Sequence, residues 1–120
     1  MSMFVLVSAN AFGDEWFMEF GTDGNELITA CKSAVQNLDD SSRVFTKQQA
    51  NDIGFCMGFV AGIADSVQDD TDLRNTKRAQ LVRVVQKYLE EHPEELSKGA
   101  SWLVRRALVT AFPKARGGAH

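Results

Sequence analysis

Hydrophobic and polar positions along the chain predict helices after residue 21. Apolar residues there recur three and four positions apart, the spacing that places them on one face of a helix. No convincing alternation of apolar and polar residues, the pattern of a strand, occurs in that part. Residues 16–21 are ambiguous, because their apolar patch fits a short strand or a segment lying across the other elements. We therefore predict an all-α domain, a compact bundle of about four principal helices.

Capping boxes mark the starts of the first two helices. Asp23 stands three residues before Glu26, ahead of the sequence ELITACKSAV, and Thr46 stands three residues before Gln49. In a capping box each side chain accepts a hydrogen bond from the other residue's backbone N–H, which favours a helix start at that point. We expect the second of these helices to run to about Ser66.

A polar segment separates these helices from the next one. Residues 68–78 are the most hydrophilic part of the chain, so we expect a solvated loop there. The following pattern predicts a helix over residues 77–91, with Gln86 on the face toward water. Pro93 ends this helix, since proline cannot continue the backbone hydrogen bonding.

The last helix is expected at residues 99–112, where Pro113 stops it. Trp16, Phe17 and Trp102 are candidate interface aromatics. Because Trp102 lies beside the inner apolar stripe of the last helix, half-buried core is the better interpretation for it.

Three glycines form a stripe in the sequence IGFCMGFVAGIAD. Gly54, Gly58 and Gly62 are spaced four apart, which places them on one face of the second helix. Each glycine in a helix interior lowers stability by about 1 kcal/mol relative to alanine. We expect close packing of another helix on this face to compensate for that cost. The opposite side of this helix is apolar as well. The pattern therefore predicts a buried central helix.

Length and charge limit the possible functions. At 120 residues the chain fits one domain, and its net charge of −3 with a pI near 5.3 offers no basic field for nucleic acid. No segment reaches the roughly eighteen consecutive apolar residues that a membrane span needs. We expect neither a nucleic-acid partner nor a membrane span.

The amino terminus has features of an incomplete secretory signal. Residues 3–7 are apolar and precede Ala9-Asn10-Ala11, a cleavage-like pattern of small residues, but no basic residue comes before them. An ordinary buried element fits these residues equally well. If the secretory-signal interpretation holds, residues 1–11 are a signal remnant and residues 12–120 form a single helical domain.

Residues suited to catalysis are scarce. The chain has only two histidines: His92 lies at a helix-to-turn junction, where a capping role is favoured, and His120 is terminal. Residues 69–72 contain three aspartates but lack the alternating spacing of a calcium loop. The glycines form no phosphate-binding motif. We therefore expect no enzyme activity, no metal site and no cofactor.

Cys31 and Cys56 are the only cysteines, and each falls in the middle of a predicted helix on its inward face. One disulfide could join the two consecutive helices there. Two free buried thiols fit the same pattern, so the residues alone leave both alternatives open.

Four segments taken together resemble one known family. They are GNELITAC at 24–31, FCMGFVAGIADS at 55–66, QLVRVVQKYLEEHPEEL at 80–96 and ASWLVRRALVTAFP at 100–113. In this order they are similar to the Rap/Tai-type periplasmic immunity proteins, which protect bacteria against peptidoglycan-amidase effectors delivered by type VI secretion. The resemblance implies a small exported helical protein, a homodimer, that binds a cognate amidase and blocks its active site.

The resemblance also bears on the cysteines. Many members carry two further cysteines, one before the QLVRVV segment and one directly after the AFP motif. This chain has no cysteine in either place. The absence of both cysteines fits the loss of a second disulfide that they would form with each other. The resemblance therefore implies that the two remaining cysteines, Cys31 and Cys56, form a disulfide. It also favours the signal interpretation of residues 1–11 and a periplasmic location.

The polar loop is the candidate effector-binding element. Its acids, arginine and asparagine could hydrogen-bond a cleft that is built to hold a peptide. The candidate residues are Asp69, Asp70, Asp72, Arg74 and Asn75. A plain solvated connector is the alternative for this loop, and a periplasmic helical chaperone or stress protein is the alternative for the whole chain.

Overall fold

The computed structural model describes residues 21–114, and these form four α-helices. The helices are α1 (Gly24–Asp39), α2 (Lys47–Ser66), α3 (Arg78–Glu91) and α4 (Ala100–Ala111). Single turns of 3-10 helix follow α2 at Gln68–Asp70 and α3 at Pro93–Glu95. Between residues 21 and 114 the only β-type pairings are two isolated bridges. The predicted all-α bundle of four principal helices is therefore confirmed.

Several sequence-based expectations fall outside the described residues. These are the signal interpretation of residues 1–11, the role of Trp16 and Phe17, and the position of His120. They stay predictions.

Both predicted capping boxes are present. The backbone N–H of Glu26 donates to Asp23 Oδ1 at 3.0 Å, and that of Asp23 donates to Glu26 Oε1 at 3.3 Å. The second box joins Gln49 N–H to Thr46 Oγ1 at 3.1 Å and Thr46 N–H to Gln49 Oε1 at 2.9 Å. Each box satisfies backbone donors that a helix start leaves unpaired, which explains why α1 and α2 begin where they do.

All four helices contribute fully buried side chains to one core. The largest are Leu27 from α1, Val60 from α2, Leu89 from α3, and Leu103 and Leu108 from α4. Burying one such side chain stabilises the folded state by about 1.5–3 kcal/mol, so this core is the main source of the fold's stability.

A disulfide links α1 to α2 inside that core. Cys31 and Cys56 are bonded to each other, their Cα atoms lie 5.1 Å apart, and both residues are fully buried. The disulfide is thus confirmed, and the alternative of two free thiols is wrong.

The expectation that Gln86 faces water is wrong. Its side chain is buried, and its Nε2 donates to the backbone oxygen of Ile28 in α1 at 3.3 Å and to Glu90 Oε2 at 3.1 Å. Val82, one turn earlier, is fully buried too. The inner face of α3 is therefore wider than its apolar stripe, because a glutamine can lie on it when its amide nitrogen finds partners; its Oε1 has no hydrogen-bond partner among the described residues.

The prediction for the glycine stripe is wrong as well. Gly54, Gly58 and Gly62 are exposed, and a Cβ added to any of them would have no neighbour within 4 Å among the described residues. Phe55 beside them is 41% exposed and stacks on Phe59, with ring centroids 5.4 Å apart. The helix is apolar nearly all round, but the bundle uses one side of it.

A close contact between segments of the chain requires a glycine at position 24. A Cβ there would lie 2.6 Å from Leu103 Cδ1, 2.8 Å from the backbone oxygen of Leu96 and 2.9 Å from its Cα. The backbone N–H of Gly24 donates to Lys98 O at 3.1 Å, and that of Asn25 donates to Leu96 O at 3.1 Å. The start of α1 is thus joined by its backbone to the segment that leads into α4.

Candidate binding surface

The polar loop after α2 begins with a compact turn. Val67 caps α2 and is almost fully buried, and its backbone oxygen accepts a hydrogen bond from Asp70 N–H at 2.9 Å. The same oxygen accepts from Thr71 Oγ1 at 2.8 Å, and Thr71 is buried. The first half of the loop is therefore anchored, although its aspartates are exposed.

The segment after α4 holds the middle of the loop. Thr71 and Pro113 form an isolated antiparallel bridge, and the N–H of Asp72 donates to the backbone oxygen of Phe112 at 3.0 Å. Asp70 adds an exposed ion pair with Arg105 of α4 at 2.9 Å. Contacts to α4 and to the residues after it thus fix the loop, so the expected solvated loop has an ordered, partly buried base.

Asp72 and Arg74 form a two-pronged ion pair on the outer part of the loop. Arg74 Nε donates to Asp72 Oδ1 and Arg74 Nη2 donates to Asp72 Oδ2, each at 2.9 Å. The side-chain hydrogen bond from Arg74, helped by its backbone N–H, lowers the pKa of Asp72 to about 2. The carboxylate is therefore charged throughout the neutral range, and the guanidinium of Arg74 is 82% exposed.

A tight turn follows this pair. Asn75 has a φ of 65°, a left-handed backbone conformation that asparagine tolerates better than most residues. Thr76 N–H donates to the backbone oxygen of Leu73 at 3.0 Å and closes the turn. Asn75 is exposed, so the turn presents its amide side chain at the surface.

The predicted site residues fall into two groups. Asp69 and Asp70 lie on the 3-10 turn, and Asp70 is directed toward α4 by Arg105. Asp72, Arg74 and Asn75 lie on the outer part of the loop, beyond the bridge at Thr71. The five residues belong to one exposed loop, but they do not converge on a single point.

An open cavity of about 760 Å³ lies beside the loop. Its apolar lining comes from Ala61 and Ala64 of α2, Leu73 of the loop and Leu81 of α3. Its polar lining comes from Asp65, Gln68, Thr71, Asp72, Arg74, Arg78 and Lys114. Of this set, only Asp72 and Arg74 were predicted from the sequence as site residues. Lys114 in particular gives no sequence signal, because the bridge between Thr71 and Pro113 brings it there.

A second exposed surface lies on α4. Trp102 is 42% exposed, so it is about half-buried as expected, but it does not belong to the hydrophobic core. Lys98 Nζ lies 4.5 Å from the centre of its ring, and Arg106 Cζ lies 5.8 Å from it. Both cations are within the range of cation–π attraction to the indole.

The described part of the chain offers little for catalysis. His92 caps α3: its Nδ1 lies 2.7 Å from the backbone oxygen of Tyr88, and its ring stacks on the ring of Tyr88. Residues 21–114 contain no group of three or more potential metal ligands. Among these same residues no helix is long and apolar enough to cross a membrane.

Comparison with known families gives one match. Residues 23–113 match the family model of the Rap1a immunity proteins. The matched region starts at the first capping residue of α1 and ends at the proline that pairs with the loop. It therefore takes in all four helices, the loop and every residue that lines the cavity except Lys114. No curated protein matches the chain.

Proposed function

Since the chain belongs to the Rap1a immunity protein family, we propose that it binds a peptidoglycan amidase effector of type VI secretion and inhibits it. Family membership itself supports the coarser statement that the chain is an immunity protein directed against a cognate effector. Immunity proteins of this kind typically have no enzymatic activity. Inhibition is therefore expected to be stoichiometric, through occupation of the amidase's active site.

The ordered loop after α2 is the observation that carries this proposal. A loop that is already fixed in the free protein loses little conformational entropy on binding, which favours tight association. Here Thr71 and Asp72 are hydrogen-bonded at the base, while Asp69, Arg74 and Asn75 are exposed. These exposed groups are suited to hydrogen-bond a cleft that normally holds a peptide.

Replacement of the ion pair on the loop tests this assignment. We expect the variant Asp72→Ala/Arg74→Ala to lose inhibition of the purified cognate amidase, measured as the inhibitor concentration that halves amidase activity. Asp39→Ala/Arg83→Ala is the matched control, because this exposed ion pair has a similar 2.8 Å contact and joins α1 to α3. Equal inhibition by both variants and the wild type would discard the loop assignment. Failure of the wild-type protein to inhibit any amidase would discard the function itself.

A periplasmic location belongs to the same proposal. The buried disulfide and the family both suggest a secreted or periplasmic protein. Residues 1–11 would then be a signal remnant. Expression in a bacterial host followed by mass spectrometry of the periplasmic fraction tests this, since cleavage after Ala11 leaves Phe12 as the first residue. Recovery of the chain from the cytoplasm alone would contradict it.

A homodimer is the last part of the proposal. It comes from the family resemblance, and the exposed side of α2 with Phe55 and Gly58 offers an apolar surface for a second copy. Sedimentation at micromolar concentration should give twice the monomer mass of 13.3 kDa. A single monomeric species at those concentrations would refute it.

A further inference from the structure

The cavity beside the loop has the size and lining of a site for a short peptide segment. Its volume of about 760 Å³ lies within the range that ligand pockets usually have, and it is wide open to solvent. Two small side chains, Ala61 and Ala64, leave space along α2, and Leu73 and Leu81 complete an apolar lining. An apolar side chain entering this space would be removed from water on several sides.

The charges around the cavity favour an anionic group. Arg74, Arg78 and Lys114 line it, against two carboxylates, Asp65 and Asp72. Arg74 occupies both carboxylate oxygens of Asp72.

Asp65 Oδ1 accepts a hydrogen bond from Gln68 Nε2 at 2.9 Å. Arg78 and Lys114 form no ion pair with any residue between 21 and 114. Both are exposed. Neither is neutralised by an ion pair among these residues, although Lys114 lies near enough to Asp72 to lower the pKa of that carboxyl, so both can bind a carboxylate from outside.

The walls of the cavity are fixed before anything binds. The bridge between Thr71 and Pro113 and the hydrogen bond from Asp72 N–H to Phe112 O join the loop to the segment that carries Lys114. Arg78 is the first residue of α3, where the helix backbone limits its Cα position. The backbone positions of both cations are thus set before binding, so the conformational entropy lost on binding is limited to that of their side chains.

From these observations we propose that the cavity receives a segment of the effector in which an apolar side chain stands next to an aspartate or glutamate. The apolar side chain packs against Ala61, Leu73 and Leu81, and Arg78 and Lys114 bind the carboxylate. The proposal rests on the proposed function and adds to it. The loop would contact the effector's cleft while the adjacent cavity accepts a projection of the effector, so the two surfaces interlock.

Carbodiimide cross-linking is the direct test, because this reagent joins an amine to a carboxylate that touches it. The purified amidase is mixed with the full chain, and the linked peptides are identified by mass spectrometry. We expect Lys114 to be joined to an aspartate or glutamate of the amidase. Lys87, an exposed lysine of α3 that does not line the cavity, serves as the internal control and should give no such product.

Charge reversal gives a second, independent measurement. Arg78→Glu/Lys114→Glu should weaken amidase binding by about tenfold or more, and the loss should shrink as salt concentration rises. Glutamate at position 78 suits the positive end of α3, so this variant is expected to fold. Lys87→Glu is the matched control. Ala61→Phe, which fills the cavity without changing charge, should weaken binding too.

The outcomes separate the two proposals. If the wild-type chain binds the amidase, yet Lys114 gives no cross-link and the charge-reversal variant binds equally well, the cavity assignment is overturned and the proposed function stands. If the wild-type chain binds no amidase at all, the proposed function fails and the cavity assignment fails with it. A Lys114 cross-link together with weakened binding by both cavity variants would support the assignment.

Discussion

Two glycine-to-alanine substitutions should change stability in opposite directions. Gly58 and Gly24 are both helical, but their surroundings differ completely. Around Gly58 the described residues leave open space for a Cβ, whereas at Gly24 a Cβ would meet three atoms at 2.6–2.9 Å. Sequence alone gives no reason to distinguish them in this way.

The magnitudes follow from the two environments. Gly58→Ala removes the helix-interior penalty of glycine at no steric cost, so we expect the free energy of unfolding to rise by about 1 kcal/mol. At Gly24 two of the three close atoms belong to the backbone of Leu96, which cannot move aside as a flexible side chain can. Overpacking of this kind costs about 1–3 kcal/mol and exceeds the propensity gain, so Gly24→Ala should lower the free energy of unfolding.

Urea denaturation of the oxidised monomer, followed by circular dichroism below the concentration at which sedimentation detects a dimer, measures both values. The two variants should differ by about 1–3 kcal/mol in the free energy of unfolding. If Gly24→Ala is as stable as Gly58→Ala, the close approach between the start of α1 and residues 96–103 is wrong. If Gly58→Ala destabilises the chain, the exposed position of the glycine stripe is wrong.

Two further predictions concern the disulfide and the loop. Removal of the disulfide by Cys31→Ala/Cys56→Ala should lower the free energy of unfolding by about 3.5 kcal/mol, the value that the chain-entropy model gives for a sequence separation of 25 residues. A loss below about 1 kcal/mol in urea denaturation would contradict this. The pKa of Asp72 should be about 2 in the folded protein, below its usual value near 3.8. The stabilisation by its pairing with Arg74 is therefore fully present above about pH 4, and it is lost as the pH falls through 2. Carboxyl NMR titration measures this pKa, which Arg74→Ala should return toward 3.8; an unchanged value would show that Arg74 is not its cause.

Local signals in the sequence were sufficient for the elements of the fold. The capping pairs Asp23/Glu26 and Thr46/Gln49 each join residues only three positions apart. The sequence pattern alone was therefore enough to predict them. The prolines at 93 and 113 likewise end α3 and α4 for a local reason, the missing N–H. Helix positions could therefore be predicted from the sequence nearly to the residue.

Which face of α2 would be buried could not be predicted from its own sequence. A helix that is apolar nearly all round has no single preferred side, and the choice depends on where α1, α3 and α4 pack. Cys56, Val60 and Ala64 are buried, whereas Gly54, Gly58 and Gly62 are not. Among the described residues nothing packs on these glycines, so the close helix contact that their cost predicted does not form inside the bundle.

Only those parts of the candidate site that depend on residues close together in the sequence could be predicted. The loop is recognisable by its composition, and its five candidate residues are indeed exposed or partly exposed. Its anchoring is a tertiary effect, because Thr71 pairs with Pro113 and Asp70 with Arg105. Lys114 joins the cavity through the same contacts. No periodicity or motif encodes such pairings between distant segments.

The bridge between Thr71 and Pro113 has a consequence for synthesis of the protein. The two paired residues stand 42 positions apart, so a chain that ends before residue 113 contains the loop without its partner. Two helices and both cysteines precede the loop in the sequence, so they can form while the loop still has nothing to pair with. A prematurely terminated chain could thus collapse and oxidise without acquiring the geometry of the binding surface, so that only a chain translated through Lys114 would be competent to bind.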